Sequence, residues 1–373
     1  MSFRKTILAA LLLGSLLPAS ATSLEIIRSG ERHWDLLLED IAGARQCIDL
    51  DYYKLGDDAS GRMICAALEA KAREGVTVRL VIESVNNGLM RKDFFREMTD
   101  AGIEIRYFTR FDRHLWEIVP EINHHDHRKI VVIDGRIGYL GGMNLKDHYH
   151  YDWQDTHLRI EGPAAAQLDR VFFADWHRLG GSGESLSVYP ETEADNVEIV
   201  SGSPNYPVFL NRYVQLLDAA SSYAYFQTPY LCPPEPLLKA LKEAAARGVD
   251  VRIIVPQKTD HAVTTHLNQS FFQELLESGV RVYEFLPCFN HSKTLVCDDR
   301  WCWIGSVNLN HRSLYDDYEV AACIDDPQTA RSQKEAILKL LEDTHEVTLE
   351  EVQAWSPGKR FLDRVPLILK KQL

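Results

Sequence analysis

Two stretches of this chain, 164 residues apart, carry the same polar residues at the same spacing. His127, Lys129, Asp134, Gly141 and Asn144 are matched by His291, Lys293, Asp298, Gly305 and Asn308. One H-x-K is weak evidence of anything, but five coincident positions repeated in register mark an internal duplication. Whatever the chain folds into, it folds into twice. In each copy an apolar run reaches an acidic turn and a second apolar run returns, which predicts a β-hairpin. With a two-residue loop at Gly135-Arg136, Lys129 faces Gly142 and His127 faces Asn144. Folding the second copy about Asp299-Arg300 sets His291 opposite Asn308 and Cys297 opposite Cys302. Alternation at period two places His127 and Lys129 on one face of the sheet. Asp134 and Asp298 fall at the far turns and read as hairpin-fixing residues, not acid catalysts. Gly141, Gly142 and Gly305 read as points of close backbone approach, and Ser306 as an added hydroxyl.

The flanking pattern repeats as well. Helical spacing over 31–46 precedes a strand at Cys47–Tyr53. A helix from Ser60 to Gly75 then leads to a strand at Val76–Ile82, and a helix over 89–101 to a strand at Ile103–Phe108. The second half reads helix Val208–Ala219, strand Tyr223–Thr228, helix Pro234–Arg247, strand Val249–Val255, helix Ser270–Ser278 and strand Val280–Phe285. From His127 onward the halves align without a gap. Alternating strands and helices predict two similar α/β domains, at 22–181 and 196–373, joined by the Gly-, Ser- and acid-rich stretch Ser182–Asp195.

Residues 1–21 stand apart. Arg4-Lys5, the apolar run Ile7–Leu17 and Pro18-Ala19-Ser20-Ala21 have the form of a signal peptide cleaved near Ala21, so export to the periplasm or medium is expected, with membrane association possible. The formal net charge is −13, and losing Arg4 and Lys5 makes it −15. An acidic chain without a Lys/Arg-rich run disfavours general binding of nucleic acid. In an oxidising compartment the seven cysteines (47, 65, 232, 288, 297, 302, 323) permit disulfides but leave at least one unpaired. The first-copy counterparts of Cys297 and Cys302 are Ile133 and Gly138, which favours plain packing over a bridge.

Two histidines, two lysines and two asparagines form one site if the repeats meet about a pseudo-twofold axis. Lys129, Lys293, Asn144 and Asn308, with Ser306, suit the non-bridging oxygens of a phosphodiester. One neutral imidazole attacks phosphorus while the other, protonated, supplies the leaving alkoxide with a proton. The lysines provide countercharge, so neither a metal nor another cofactor is called for. Each histidine is followed 28 residues later by an acid, Asp155 or Glu319, placed to hold the far ring nitrogen as an orienting carboxylate does. His124, His125, His148 and His150 lack the carboxylate or cysteine set of a metal site and read as solvated loop histidines. His261 and His266 are given no role.

The duplicated H-x-K-x4-D motif resembles that of the phospholipase D superfamily, over nearly the whole chain after residue 21. Trp153-Gln154-Asp155-Thr156-His157-Leu158-Arg159-Ile160-Glu161-Gly162-Pro163 and Gly305-Ser306-Val307-Asn308-Leu309-Asn310-His311-Arg312-Ser313 are similar to stretches of bacterial cardiolipin synthases. The resemblance implies an active site at the domain interface and a phosphohistidine intermediate. It makes His127 the nucleophile and His291 the general acid, with each acid serving the histidine of the opposite half. Three departures leave the subgroup and acceptor open. A leader stands in place of the two membrane spans of the major cardiolipin synthases, Asn310 where Asp is common, and Asp317 where Asn is common. The expected activity is transfer or hydrolysis of a phospholipid at a membrane surface, to an alcohol or to water. The aromatic loops before each histidine (Phe108, Phe111, Leu115, Trp116; Phe285, Leu286, Phe289) are candidates to admit acyl chains. An exported nuclease and a catalytically silent lipid-binding protein are the alternatives.

Overall fold

The computed structural model describes residues 22–87, 92–109, 124–187, 189 and 196–369. The proposed signal peptide, half of the predicted linker and the aromatic loop holding Phe111, Leu115 and Trp116 lie outside the described residues.

Each half builds one mixed sheet. In the first, β1 (Ser23–Ile27), β2 (Cys47–Tyr52), β3 (Thr77–Ile82), β4 (Glu104–Tyr107), β5 (Lys129–Ile133), β6 (Ile137–Gly141) and β7 (His157–Glu161) lie in the order β1-β7-β6-β5-β2-β3-β4. In the second, β8 (Val197–Gly202), β9 (Tyr223–Gln227), a two-residue β10 (Leu231–Cys232), β11 (Asp250–Pro256), β12 (Arg281–Phe285), β13 (Thr294–Cys297), β14 (Trp301–Gly305), a two-residue β15 (Leu309–Asn310), β16 (Glu319–Asp325) and β17 (Thr344–Val347) follow. Its main sheet runs β17-β12-β11-β9-β13-β14-β16-β8. Without β17 the order is that of the first sheet, read from the other edge. The parallel strands β2, β3 and β4 are joined by helices, because a parallel connection must cross the sheet, whereas β5 and β6 form a tight antiparallel hairpin and β7 returns antiparallel to β6 after a segment that holds the short helix Asp147–Tyr151.

Side-chain alternation along β5 explains how the halves join. Val131 and Ile133 face helices of their own half, while Ile130 and Val132 face the opposite sheet. There they pack with Leu140, Leu158 and Ile160 against Val296, Ile304, Val320 and Ala322 of the second half. Helices Pro163–Arg178 and Pro327–Leu340, related by the repeat, border this shared core through Ala165, Leu168, Ala330 and Ile337. Two β-sheets with a common apolar layer therefore present their motif ends side by side.

The hairpins differ from the predicted register by one residue. Ile133 pairs with Ile137 and Cys297 with Trp301, so each turn holds three residues, not two. Asp134 and Gly135 at φ 51° and 61°, and Asp298 and Asp299 at 54° and 51°, occupy the left-handed region. The slip moves Cys302 opposite Val296 and turns it into the shared core, while Cys297 packs on the outer side. The two thiols lie on opposite faces, and all seven cysteines are unbridged. The predicted helix Ser270–Ser278 is the observed Phe272–Glu277, preceded by a further helix, Ala262–Ser270, that the spacing did not predict. Helices Leu349–Ala354 and Pro357–Arg364 were not anticipated.

Candidate active site

Both motif histidines leave their strands at the junction of the halves, where short bridges tie one half to the other. His127 N–H donates to the Tyr318 carbonyl at 2.9 Å, and Tyr318 N–H to the His125 carbonyl at 2.9 Å. On the other side His291 N–H donates to the Gln154 carbonyl at 2.7 Å, and Gln154 N–H to the Phe289 carbonyl at 3.1 Å. Each bridge sets a histidine of one half beside an acid of the other. His127 Nδ1 lies 2.9 Å from Glu319 Oε1, and His291 Nδ1 lies 2.7 Å from Asp155 Oδ2. With Nδ1 held in this way, Nε2 is the ring nitrogen left for chemistry.

The acids are themselves positioned. Ser306 Oγ donates to Glu319 Oε2 and accepts Val320 N–H at 3.0 Å. Asp155 Oδ1 accepts Thr156 N–H at 2.7 Å. A Cβ on Gly142 would run into the Asp155 carboxylate, and one on Gly305 into Val320 and Ala321, so both glycines mark close approach. Gly141, at φ 155°, sits against His157 in the same manner.

Lys129 and Lys293 lie fully buried, and each Nζ donates to the carbonyl of its own motif histidine. Lys129 Nζ also sits 4.9 Å above the Tyr53 ring. Burial pulls Lys129 down to about 7 and Lys293 to about 8. It also drives both imidazoles well below their ordinary value, helped by the two lysine charges. Asp155 is pushed up to about 7 and Glu319 to about 8 by the same burial, against the pull of the lysines. All six groups are thus drawn toward their neutral forms. A bound phosphodiester anion reverses this for the lysines and imidazoles, because negative charge favours their protonated states.

The imidazoles line one cleft of about 200 Å³ together with Tyr53, Lys54, His125, Tyr149, Tyr230 and Asp260. Asn308 also lines it, with Nδ2 3.3 Å from Ser313 Oγ. Asn144 is engaged elsewhere: its Nδ2 donates to Tyr149 Oη at 2.7 Å and its Oδ1 accepts Lys54 N–H at 3.1 Å. Ser306 likewise serves Glu319 and is not among the residues lining the cleft. Asp134 and Asp298 are remote from the chemistry. Asp134 accepts the N–H groups of Arg45, Gln46 and Cys47, and Asp298 those of Ser221, Ser222 and Tyr223.

The histidines expected in solvated loops are packed instead. His125 lines the cleft, His148 lies 4.1 Å from the Trp153 ring centroid, and His150 stacks on Trp34 at 4.5 Å. His261 borders the cleft and His266 Nδ1 lies 2.7 Å from Asp363. Phe108 packs with Phe172 and Trp176, Phe289 packs on Trp153 and Phe285 joins the shared core, so none of these three described loop aromatics opens a channel for acyl chains. Tyr53, Lys54 and Tyr230 were missed, although a signal existed. They follow the C-terminal ends of the parallel strands β2 and β9, where α/β sheets bind ligands.

Paired histidines with crossed acids, set between two duplicated α/β domains, define an enzyme of the phospholipase D superfamily. A family model described as "Cardiolipin synthase, PLD-like domain" matches residues 37–176 and again 213–341. Cardiolipin synthase 2 of Bacillus anthracis is 32% identical over 97% of this chain and 73% of its own length. Cardiolipin synthase of Geobacillus sp. (strain WCH70) is 33% identical over 88% and 67%. The chain therefore belongs to the cardiolipin synthase, PLD-like domain family. Among solved structures, phosphatidylserine synthase of Haemophilus influenzae Rd KW20 shares the fold, with a TM-score of 0.72 at 17% identity, covering 94% of this chain and 95% of that one.

Proposed function

We propose that the protein transfers a phosphatidyl group between glycerol hydroxyls through a covalent phosphohistidine. His127 Nε2 attacks the phosphorus of a phosphatidylglycerol. The P–O bond to the headgroup glycerol breaks as His291 Nε2–H gives its proton to the departing alkoxide. In the second half of the cycle His291 takes the proton of an incoming hydroxyl, whose oxygen displaces His127. A second phosphatidylglycerol as acceptor yields cardiolipin, and water yields phosphatidic acid. Lys129 and Lys293 neutralise the phosphoryl oxygens.

The observation that carries this reading is the crossed pairing of His127 with Glu319 and His291 with Asp155, which leaves both Nε2 atoms to one cleft. Relatives named cardiolipin synthase support the phosphatidyl substrate. His127 keeps 12% of its side chain exposed against 5% for His291, which favours it as the nucleophile. Incubating the protein with phosphatidylglycerol vesicles and, separately, with single-stranded DNA tests the assignment. Cardiolipin or phosphatidic acid should form in the first; cleavage of DNA alone would refute it. The leader supports an exported enzyme, for which recovered protein should begin near Thr22. Among the described residues no helix is long and apolar enough to cross a membrane.

A further inference from the structure

The helix Pro357–Arg364 and the 3-10 turn Val365–Leu369 that continues it are built inside out. Phe361, Leu362, Val365 and Ile368 are exposed, at 68%, 54%, 45% and 83%. The one acid of the segment, Asp363, is buried instead, held by His266 Nδ1 at 2.7 Å and Lys359 Nζ at 3.1 Å. Ordinary surface helices do the reverse, hiding phenyl and aliphatic groups and showing carboxylates to water. Arg360 and Arg364 are exposed on the flank of this apolar face. At 100° per residue, 360, 364, 361, 365 and 362 follow one another around a single arc, basic edge first and apolar face after, and the 3-10 turn, at three residues per turn, sets 368 over 365. A contiguous apolar patch rimmed by cations, on a chain of net charge −13, has a defined complement.

We propose that residues 357–369 form an interfacial docking surface for an anionic phospholipid bilayer, which delivers lipid to the active-site cleft. This rests on the reading of the enzyme as a phosphatidyltransferase. The apolar face enters the headgroup–acyl boundary while Arg360 and Arg364 meet lipid phosphates, as amphipathic cationic helices do. Position agrees with chemistry. The docking helix packs on helix Ala262–Ser270, whose Thr264 and Leu267 line the cleft. Val263, on that same helix, is also exposed, at 46%. One helix thus separates the patch from the catalytic groups.

The test compares full-length protein with the Phe361→Ser/Ile368→Ser and Arg360→Glu/Arg364→Glu variants. Binding is read by sedimentation with vesicles of phosphatidylglycerol in phosphatidylcholine, on a His127→Ala background so that no lipid is consumed. Turnover is read separately on dihexanoyl phosphatidylglycerol dissolved below its micelle concentration. Both variants should lose vesicle binding by about tenfold or more, with monomeric turnover unchanged and wild-type binding absent from pure phosphatidylcholine. Undiminished vesicle binding by the variants overturns the proposal. So does a parallel loss of monomeric turnover, which marks a structural role, or a wild-type dimer that Phe361→Ser/Ile368→Ser dissociates while vesicle binding persists. Vesicle binding without turnover of any lipid sustains the docking surface and refutes the catalytic reading.

Discussion

Burial sets the protonation of the catalytic groups, and the sign of the pH dependence follows from it. In the proposed mechanism His127 attacks as the neutral imidazole, and its depressed pKa keeps it neutral down to well below the ordinary imidazole range. In the same mechanism Lys129 and Lys293 act as cations beside the phosphate, and they lose their protons as pH rises through about 7 and about 8. The profile of kcat should be bell-shaped, its acid limb set by protonation of His127 and its alkaline limb by loss of the proton that His291 must donate, a proton the bound phosphodiester anion helps it keep against burial. A plateau from about pH 5 to about pH 9 in steady-state assays would contradict this. Replacing His291 by Ala should lower turnover by about 10²- to 10⁴-fold and let a phosphatidyl adduct accumulate on His127, detectable by mass spectrometry. Gly142→Ala acts on the same chemistry indirectly. Its Cβ displaces Asp155, so activity should fall while thermal unfolding moves little, and Asp155→Asn should match its pH profile.

At the scale of the hairpin, structure and sequence diverge by one residue, and the reason is local. The Gly135-Arg136 pair reads as a two-residue loop because Gly is the usual bearer of positive φ. The actual turn also puts Asp134, Asp298 and Asp299 in that region. Carboxylates at 134 and 298 offset the strain by capping three N–H groups each at the start of β2 and β9. Those partners lie more than 70 residues away in sequence, so the compensation is not visible in the motif itself. Asp134→Ala should therefore destabilise the protein by about 1–3 kcal/mol in urea titration and leave KM unchanged. Asp134→Asn, which tolerates the left-handed region and keeps one acceptor, should be milder. Strands, duplication and the histidine–acid set were legible because they rest on spacing and alternation. Tyr53, Lys54 and Tyr230 were not, since only the meeting of two strand ends makes them neighbours.

At the scale of the whole molecule, neither half is self-sufficient. Separated halves would expose Ile130, Val132, Val296 and Ile304, which now share a core, and each would hold a histidine without its acid. Residues 22–181 and 196–373 expressed apart should be inactive and aggregation-prone, and co-expression should restore turnover if the common core reassembles. Recovery of activity from one half alone would refute the shared-site arrangement. The crossed pairing also bears on biosynthesis. His127 and Glu319 are 192 residues apart in sequence. A growing polypeptide holds its attacking nitrogen untuned until the final third has been made and docked. On the proposed mechanism, the two imidazoles meet their acids only after both halves have been made and have closed on one another.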